Sequence, residues 1–539
     1  MYFEESIERR HPLIKPKNKS SFLIPSIADF LFLAIFLHIS LNVGKSLLGD
    51  GDTGYHIRTG EYILKTLSIP RHDLFSFISP SLPWTAHEWL SEVIMAVIHK
   101  SFGLTGIVVF FAFLISLAFY LLFKIIQKNN RNILITILVV LLATATSQVH
   151  WLARPHIFSL ILMIVWYHIL DMYHYQNRNY LYLFPLIMIV WVNLHGGFMG
   201  GFMLIGMYLF VNAAGYLFTK DSARELSGKR VKVLAVATVA CIAAAVINPY
   251  GYHILLFPFK LTSTKEIMDS ISEFMSPNFH ENYVKSFEIF LLLLLAVLGI
   301  SKFKLNTIET LLILLFTYMS LYSARYIPLF AIIVAPILAR QLQSIEEQST
   351  GRFAAFIRTR ARNIAAINAS ASGYFWPAVA IMVVMSSVAM GKVSYKFDEK
   401  SKPMAAIEFL KKERITGNMF NNDEFGDCLI YSAYPMYKVF FDGRSDMYGV
   451  DRLKEYRKIT NFDQGWEDIL AKYRITWIFY DADSALSRYL LINKDWKLIY
   501  ADKLANIFVK NIPEYQYLVD KYPSVKPVIK KDNDKAADK

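Results

Sequence analysis

Eleven long apolar runs divide the first 391 residues, and they restrict this chain to one class of fold. Runs of about 17–25 apolar residues are long enough to cross a bilayer as helices. With 54% hydrophobic residues and a mean hydropathy of +0.33, the chain is too apolar for a soluble enzyme. We therefore predict a membrane all-α bundle of about 11 transmembrane helices over residues 1–391. The runs lie at 26–47, 104–123, 133–149, 157–172, 181–194, 199–218, 232–247, 286–300, 305–322, 326–341 and 375–391.

Lysine and arginine are concentrated in alternate connections between these runs. Short cytoplasmic loops retain such residues, so their placement predicts the orientation of the chain. With the N-terminus in the cytoplasm, every predicted inner loop is basic and the region after the last run lies outside. The formal net charge of +13 then reflects membrane topology and not nucleic-acid binding. The inner-loop residues are Lys124, Lys128, Arg131, Arg178, Lys220, Arg224, Lys229, Arg230, Lys232, Lys302, Lys304, Arg352, Arg358, Arg360 and Arg362.

Polar motifs collect on the predicted outer side. Two long loops, 49–103 and 249–285, lie there together with the polar region 392–522. Strand-like runs alternate with helical stretches in that region, which predicts a C-terminal extracytoplasmic α/β domain. The remaining residues, 523–539, are charged and contain proline, and we predict a disordered tail. The strand-like runs are 438–444, 476–483, 496–502 and 505–510, and the helical stretches are 404–413 and 466–473.

The segment directly after the first apolar run is the strongest pointer to chemistry. It reads GDGDTGYHIRTGEY and brings Asp50, Asp52, His56 and Arg58 to the membrane interface, where charged groups are costly. Carboxylates in such a place can deprotonate a hydroxyl or bind a divalent metal. The alternative is an aspartate that caps a helix running from Tyr55 to Leu67. For Asp52 the two interpretations are evenly balanced, whereas capping is favoured for Asp50.

Two arginines stand at predicted outer ends of apolar runs. A guanidinium can hold a phosphate through two hydrogen bonds, which suits a lipid head group. Arg154 and Arg325 are therefore candidate phosphate ligands, and plain snorkelling to the interface is the alternative. Arg325 is the better candidate because Tyr322 and Tyr326 flank it.

Other polar groups belong to the same predicted face. His195 stands in NLHGGF, where two glycines permit close approach of a ligand or of another helix. Glu273 is a second acidic candidate, in loop 249–285. The pair His87-Glu88 matches half of a zinc-protease motif, but HEWLS lacks the second histidine and zinc proteolysis is disfavoured. Carboxylates are also dense in 423–431 and 440–449, where turn chemistry explains the glycines and a substrate contact is the minority interpretation.

The motifs, taken in order, resemble a bacterial family. The set GDGDTGYHIRTGEYI, PWTAHEWLSE, WVNLHGGFMGG, NPYG with ISEFMSPNF, SARYIPLF, and FGDCLIY with FFDGRSDMYG is similar to polytopic proteins described as uncharacterised membrane proteins or candidate glycosyltransferases. This resemblance covers nearly the whole chain. The architecture is also similar to the wider GT-C superfamily, which includes protein mannosyltransferases, aminoarabinose transferases and oligosaccharyltransferase catalytic subunits. The segment GDGDTGYH departs from the mannosyltransferase and oligosaccharyltransferase motifs, which leaves metal dependence open.

The resemblance implies a multi-pass glycosyltransferase of the bacterial inner membrane. It would move a sugar from a polyprenyl-phosphate donor to an extracytoplasmic glycan, lipid or protein acceptor, in contact with membrane lipid. No cofactor is assigned, and a divalent metal is the candidate. Two other classes stay open: a lipid or glycan transporter or flippase, and a non-catalytic envelope assembly factor. The hypothesis places catalysis on Asp52 and Glu273, and substrate binding on Asp50, His56, Arg58, Arg154, His195 and Arg325.

Overall fold

A computed structural model describes residues 23–269, 271–371 and 375–528 of the chain. Most of the predicted tail, residues 529–539, and the basic N-terminal segment, residues 1–22, lie outside the described part. The α-helices are α1 Ile27–His38, α2 Thr53–Thr66, α3 Trp89–Asn129, α4 Ile133–Ser147, α5 His156–Gln176, α6 Phe184–Leu194, α7 Phe198–Phe218, α8 Asp221–Ala245, α9 His253–Thr262, α10 Lys265–Met268, α11 Lys285–Ile300, α12 Thr307–Tyr322, α13 Ile327–Gln348, α14 Arg352–Ser370, α15 Phe375–Ala389, α16 Met404–Glu413, α17 Asp423–Ala433, α18 Ser445–Thr460, α19 Trp466–Lys472, α20 Ala485–Ile492 and α21 Gln516–Lys521. The strands are β1 Asn418–Asn421, β2 Ile475–Asp481, β3 Trp496–Ala501 and β4 Ala505–Lys510.

The bundle confirms the predicted fold class of apolar membrane helices. In the described part, seven helical segments are long and apolar enough to cross a membrane. The other predicted runs also lie in helices, but these are shorter or, in α8, begin with several charged turns. The count of eleven spans therefore stays a prediction. The seven segments are Ile27–Leu48, Trp89–Asn129, Ile133–His150, His156–Gln176, Phe198–Phe218, Asn282–Ile300 and Ala324–Gln348.

Helix α13 lies at the centre of the bundle. From Phe330 to Ala339 every residue is buried, on all sides of the helix. A helix that is buried on every side lies in the interior of the bundle and does not face lipid over this stretch. Helices α3, α4, α5, α11 and α12 pack around it.

Helix α2 lies within loop 49–103 and packs against the bundle. The predicted helix from Tyr55 to Leu67 is confirmed, two residues longer at its start. Gly60 allows α2 to lie directly on α3, because a Cβ at this position would collide with the Glu92 carbonyl oxygen. This contact holds the acidic segment before α2 against the bundle.

The C-terminal region is an α/β domain, as predicted. Its four-stranded sheet has the order β1-β2-β4-β3, with β1 parallel to β2 and the other neighbours antiparallel. The predicted strands at 476–483, 496–502 and 505–510 correspond to β2, β3 and β4. The predicted strand 438–444 is wrong: its Val439 pairs with loop 49–103 through the Phe75 carbonyl and the Phe77 N–H instead of joining the sheet.

A buried arginine fastens this domain to loop 49–103. The guanidinium of Arg444 donates to Asp442 over 2.6 Å and pairs with Asp73 of the loop at 2.8 Å. Its Cζ atom lies 4.8 Å from the ring centroids of both Phe75 and Trp84. The C-terminal domain is therefore packed firmly against loop 49–103.

Candidate active site

A polar cavity of about 820 Å³ lies between the helix bundle and the C-terminal domain. Its bundle side is built from the segment before α2, the connection before α5, loop 249–285 and the start of α13. Its other side is built from α17, α18 and the loop between them. Carboxylates dominate the lining: Asp50, Asp52, Glu88, Glu273, Asp423, Glu424, Asp427 and Asp446.

Glycines bring the two sides into close contact. A Cβ on Gly51 would lie 2.9 Å from the Asp427 Cβ, and one on Gly54 would lie 2.7 Å from the Tyr431 Cβ. On the opposite side, a Cβ on Gly443 would collide with the Asp52 carboxylate. The glycine spacing of the acidic segment is therefore a requirement of packing against the C-terminal domain.

Asp52 stands at the N-cap position of α2 but does not cap it with its side chain. Its Oδ2 instead lies 2.8 Å from an Arg154 terminal nitrogen. The N-cap alternative therefore fails for the Asp52 side chain. Burial raises the pKa of Asp52 to about 8, with Arg154 opposing and Asp50 adding to the rise. A carboxyl with a pKa in this range can serve as a general base near neutral pH.

Arg154 and Arg325 share one carboxylate partner. Glu273 lies 3.5 Å from Arg154 and 3.1 Å from Arg325, measured between carboxylate oxygen and guanidinium nitrogen. Burial acts to raise the pKa of Glu273, but the two arginines hold it below its usual value. Glu273 is therefore an anion that fixes both guanidinium groups.

Glu88 is held in the cavity wall by histidines. The Gly197 N–H donates to Nδ1 of His195 over 2.9 Å, so a neutral His195 carries its proton on Nε2. That Nε2 lies 3.4 Å from Glu88, and His56 Nε2 lies 3.6 Å from it. His56 itself lies behind the wall, where its Nδ1 contacts Glu92 at 3.1 Å. Burial lowers the pKa of His195 well below its usual range and raises that of Glu88.

A second, more apolar cavity of about 180 Å³ adjoins the first. Helix α9 contributes Phe257, Pro258 and Leu261 to it, and His195 lies on its far wall. Five residues line both cavities: His87, His150, Leu261, Phe274 and Arg325. Arg325 thus stands where a polar space meets an apolar one.

The structure gathers six of the eight predicted site residues around the two cavities and leaves His56, behind the wall, and Arg58 outside them. Asp50, Asp52, Arg154, Glu273 and Arg325 line the polar cavity, and His195 lines the apolar one. Arg58 points elsewhere: its Nε donates to the Tyr431 carbonyl over 2.8 Å and links α2 to α17.

Sequence reasoning did not assign Glu88, Asp427 or Asp446 to the site. Asp427 is buried and its carboxylate accepts the Gly443 N–H at 3.2 Å. Burial, with a further contribution from Asp52, raises the pKa of Asp427 well above its usual value. The density of carboxylates in 423–431 and 440–449 was the available signal, but nothing in one sequence placed that region over the acidic segment.

The acidic centre does not fit a divalent metal. The position between Asp50, Asp52 and Glu273 is filled by the Arg154 guanidinium. Elsewhere in the described ranges, no three or more His, Cys, Asp or Glu side chains are arranged to hold a metal ion. The acidic centre is therefore a set of ion pairs between protein side chains.

No family model matches the sequence, and no curated protein matches it. The fold is similar to that of the oligosaccharyltransferase of Archaeoglobus fulgidus. Its apo crystal structure gives a TM-score of 0.54 at 12% identity, over 92% of this chain and 75% of that one. The form tethered with an acceptor peptide gives 0.54 at 13%, over 86% and 70%. The complex of this enzyme, AglB, with an inhibitory peptide and a dolichol-phosphate gives 0.50 at 10%, over the same shares.

These matches confirm the predicted fold. The chain shares with these structures the architecture of a bundle of apolar helices that carries a C-terminal domain. At these sequence identities the likeness concerns the fold, and the activity must be argued from the site.

Proposed function

We propose that the protein is a membrane glycosyltransferase that moves a sugar from a polyprenyl-phosphate donor to an extracytoplasmic acceptor. The observation that carries the proposal is the junction of the two cavities. An apolar space suits the first isoprene units, a polar space suits the sugar and acceptor, and Arg325 stands between them. A lipid that carries a phosphate-linked sugar has the same three parts in the same order.

The reaction needs a base and a group that stabilises the leaving phosphate. The acceptor oxygen attacks the anomeric carbon, its proton passes to the Asp52 carboxylate, and the bond from that carbon to the phosphate oxygen breaks. Negative charge then develops on the lipid phosphate, where Arg325 is placed to stabilise it. Glu273 holds Arg325 and Arg154 in position, and Asp50 also holds Arg154.

The structural relatives support this proposal. The archaeal oligosaccharyltransferase of the same fold has been captured with a dolichol-phosphate and, separately, with an acceptor peptide. A polyprenyl phosphate and a glycan, lipid or protein acceptor are accordingly the partners proposed here. We place the cavity on the outer side of the bacterial inner membrane, with the N-terminus in the cytoplasm, because the basic residues of the short loops require that orientation.

Removing the Arg325 guanidinium is expected to weaken lipid-phosphate binding. Arg325→Gln should raise the dissociation constant for polyprenyl phosphate by about tenfold or more, because a charge-assisted bidentate contact is lost. Binding to the purified protein is measured by scintillation proximity with a radiolabelled lipid. The control is Arg178→Gln, which removes an exposed arginine remote from both cavities. Equal affinity of the two variants would exclude Arg325 as the phosphate ligand.

The rate of sugar transfer is expected to increase with pH. Because burial raises the pKa of Asp52 to about 8, only a minority of the protein carries the basic carboxylate at pH 6. We expect kcat/KM to rise by about tenfold per pH unit below neutrality and to level off above pH ~8. The residual activity of Asp52→Asn serves as the control and should lack this rise. A flat wild-type profile between pH 6 and 9 would contradict the assignment of Asp52 as the base.

A further inference from the structure

The Arg154 guanidinium lies at the centre of three carboxylates from two different parts of the chain. Its nitrogen atoms lie 2.6 Å from Asp50, 2.8 Å from Asp52 and 3.5 Å from Glu273. Asp50 and Asp52 belong to the segment before α2, and Glu273 belongs to loop 249–285. Only 15% of the Arg154 side chain is exposed, so the guanidinium neutralises these groups away from bulk water.

Backbone hydrogen bonds fix Arg154 in this position. The N–H of the preceding residue, Ala153, donates to the Leu47 carbonyl over 2.8 Å. The Ala153 carbonyl in turn accepts the Thr53 hydroxyl at 3.2 Å. Leu47 and Thr53 enclose the acidic segment, so the base of the arginine side chain is attached to the same stretch of backbone as its partners. These hydrogen bonds fix the backbone of Arg154 relative to Asp50 and Asp52, and so they hold the ion pairs in place.

A metal ion would need the same space and the same oxygen atoms. Divalent cations take carboxylate oxygens at about 2.0–2.6 Å, which is closer than the guanidinium approaches them. The planar, permanently charged fork of arginine can satisfy several carboxylates at once. Two further cavity carboxylates have partners of their own, since Asp427 accepts the Gly443 N–H and Glu88 is surrounded by histidines.

We infer that Arg154 is the resident cation of the acidic centre, and that it occupies the position where a divalent metal would otherwise be bound. Arg154 thereby positions the Asp52 carboxylate. Because the carboxylates are paired with Arg154, the centre does not bind a metal ion. The inference rests on the proposed function only in treating this cavity as the reaction centre. It predicts a protein that gains a metal site when a single cation is removed.

The test is Mn²⁺ binding to the purified protein, followed by electron paramagnetic resonance of the free ion. Wild type is expected to show no site with a dissociation constant below about 1 mM. Arg154→Ala should bind Mn²⁺ at least about tenfold more tightly than wild type, because Asp50 and Asp52 lose their cation and Glu273 loses one of its two. The matched variant Arg154→Ala with Asp50→Asn should lose that gain, and Arg154→Lys, which keeps a cation, should behave as wild type.

Two results would overturn the inference. One is tight Mn²⁺ binding by wild type that disappears in Asp50→Asn. The other is a folded Arg154→Ala protein with no gain in affinity. If Arg154→Ala does not fold, Arg154→Gln, which also removes the cation but keeps more of the side chain, replaces it in the same titration. Sugar transfer is not the readout, so an inactive protein that binds no Mn²⁺ would count against the proposed function and leave Arg154 in its role.

Discussion

Replacing Asp52 by asparagine is expected to reduce sugar transfer by about 10²- to 10⁴-fold, the range typical for loss of a general base. Asparagine keeps the size of the side chain but cannot accept the proton of the acceptor hydroxyl. The affinity for polyprenyl phosphate should stay within about twofold of wild type, because Arg325 and the apolar cavity are untouched. Single-turnover transfer and lipid binding, measured on the same preparation, separate the two effects.

Asp50→Asn is the matched control for this variant. Asp50 pairs with the same guanidinium at 2.6 Å, so its loss disturbs the ion-pair network without removing the proposed base. We expect transfer to fall by less than about tenfold. Equal losses in the two variants would mean that the network matters and that Asp52 has no special role. Full activity of Asp52→Asn would contradict the proposed mechanism outright.

Replacing Arg444 by methionine is expected to loosen the C-terminal domain from loop 49–103. Arg444 is almost fully buried and pairs with Asp442 and Asp73, so its loss leaves two buried carboxylates without their cation. Breaking one side of a buried ion pair costs about 3–5 kcal/mol. The expected results are a lower melting temperature in detergent and rapid proteolysis within 71–87. Sugar transfer should also be lost, because the domain forms one wall of the cavity.

Arg452→Met provides the comparison from the following helix. Arg452 is partly exposed and pairs with Glu455 at 2.9 Å. A surface pair of this kind contributes about 0–1 kcal/mol, so this variant should retain the melting temperature and protease resistance of wild type. Similar behaviour of the two variants would show that Arg444 does not hold the domain in place.

The helices of the bundle could be predicted from the sequence, because they depend on local residue patterns. The apolar runs identify the bundle, because a segment in lipid must satisfy its backbone hydrogen bonds internally and therefore forms a helix. Helices α2 and α16 follow from the periodicity of their apolar residues. Strand 438–444 was mispredicted because its β-favouring residues pair with a loop some 360 positions earlier in the chain. Local preferences carry no information about so distant a partner.

Several members of the site were predictable from the sequence, but the contacts between them were not. Topology placed Asp52, Arg154, Glu273 and Arg325 on one face, and the structure adds that they form a continuous series of ion pairs. The sequence could not decide whether Asp52 caps α2 or belongs to the site, because that depends on where its side chain points. The need for glycine at positions 51 and 54 could not be predicted, because it comes from their close contact with the C-terminal domain.

Transfer of a radiolabelled sugar is the most direct test of the central claim, that this cavity transfers a sugar from a lipid phosphate. Purified protein in proteoliposomes is given a panel of polyprenyl-phosphate sugars with membrane extract as the acceptor source. Wild type is predicted to transfer label from at least one donor and to release polyprenyl phosphate, and folded Asp52→Asn is predicted to do neither. Absence of transfer from every donor, with lipid translocation intact, would contradict the account and favour a flippase.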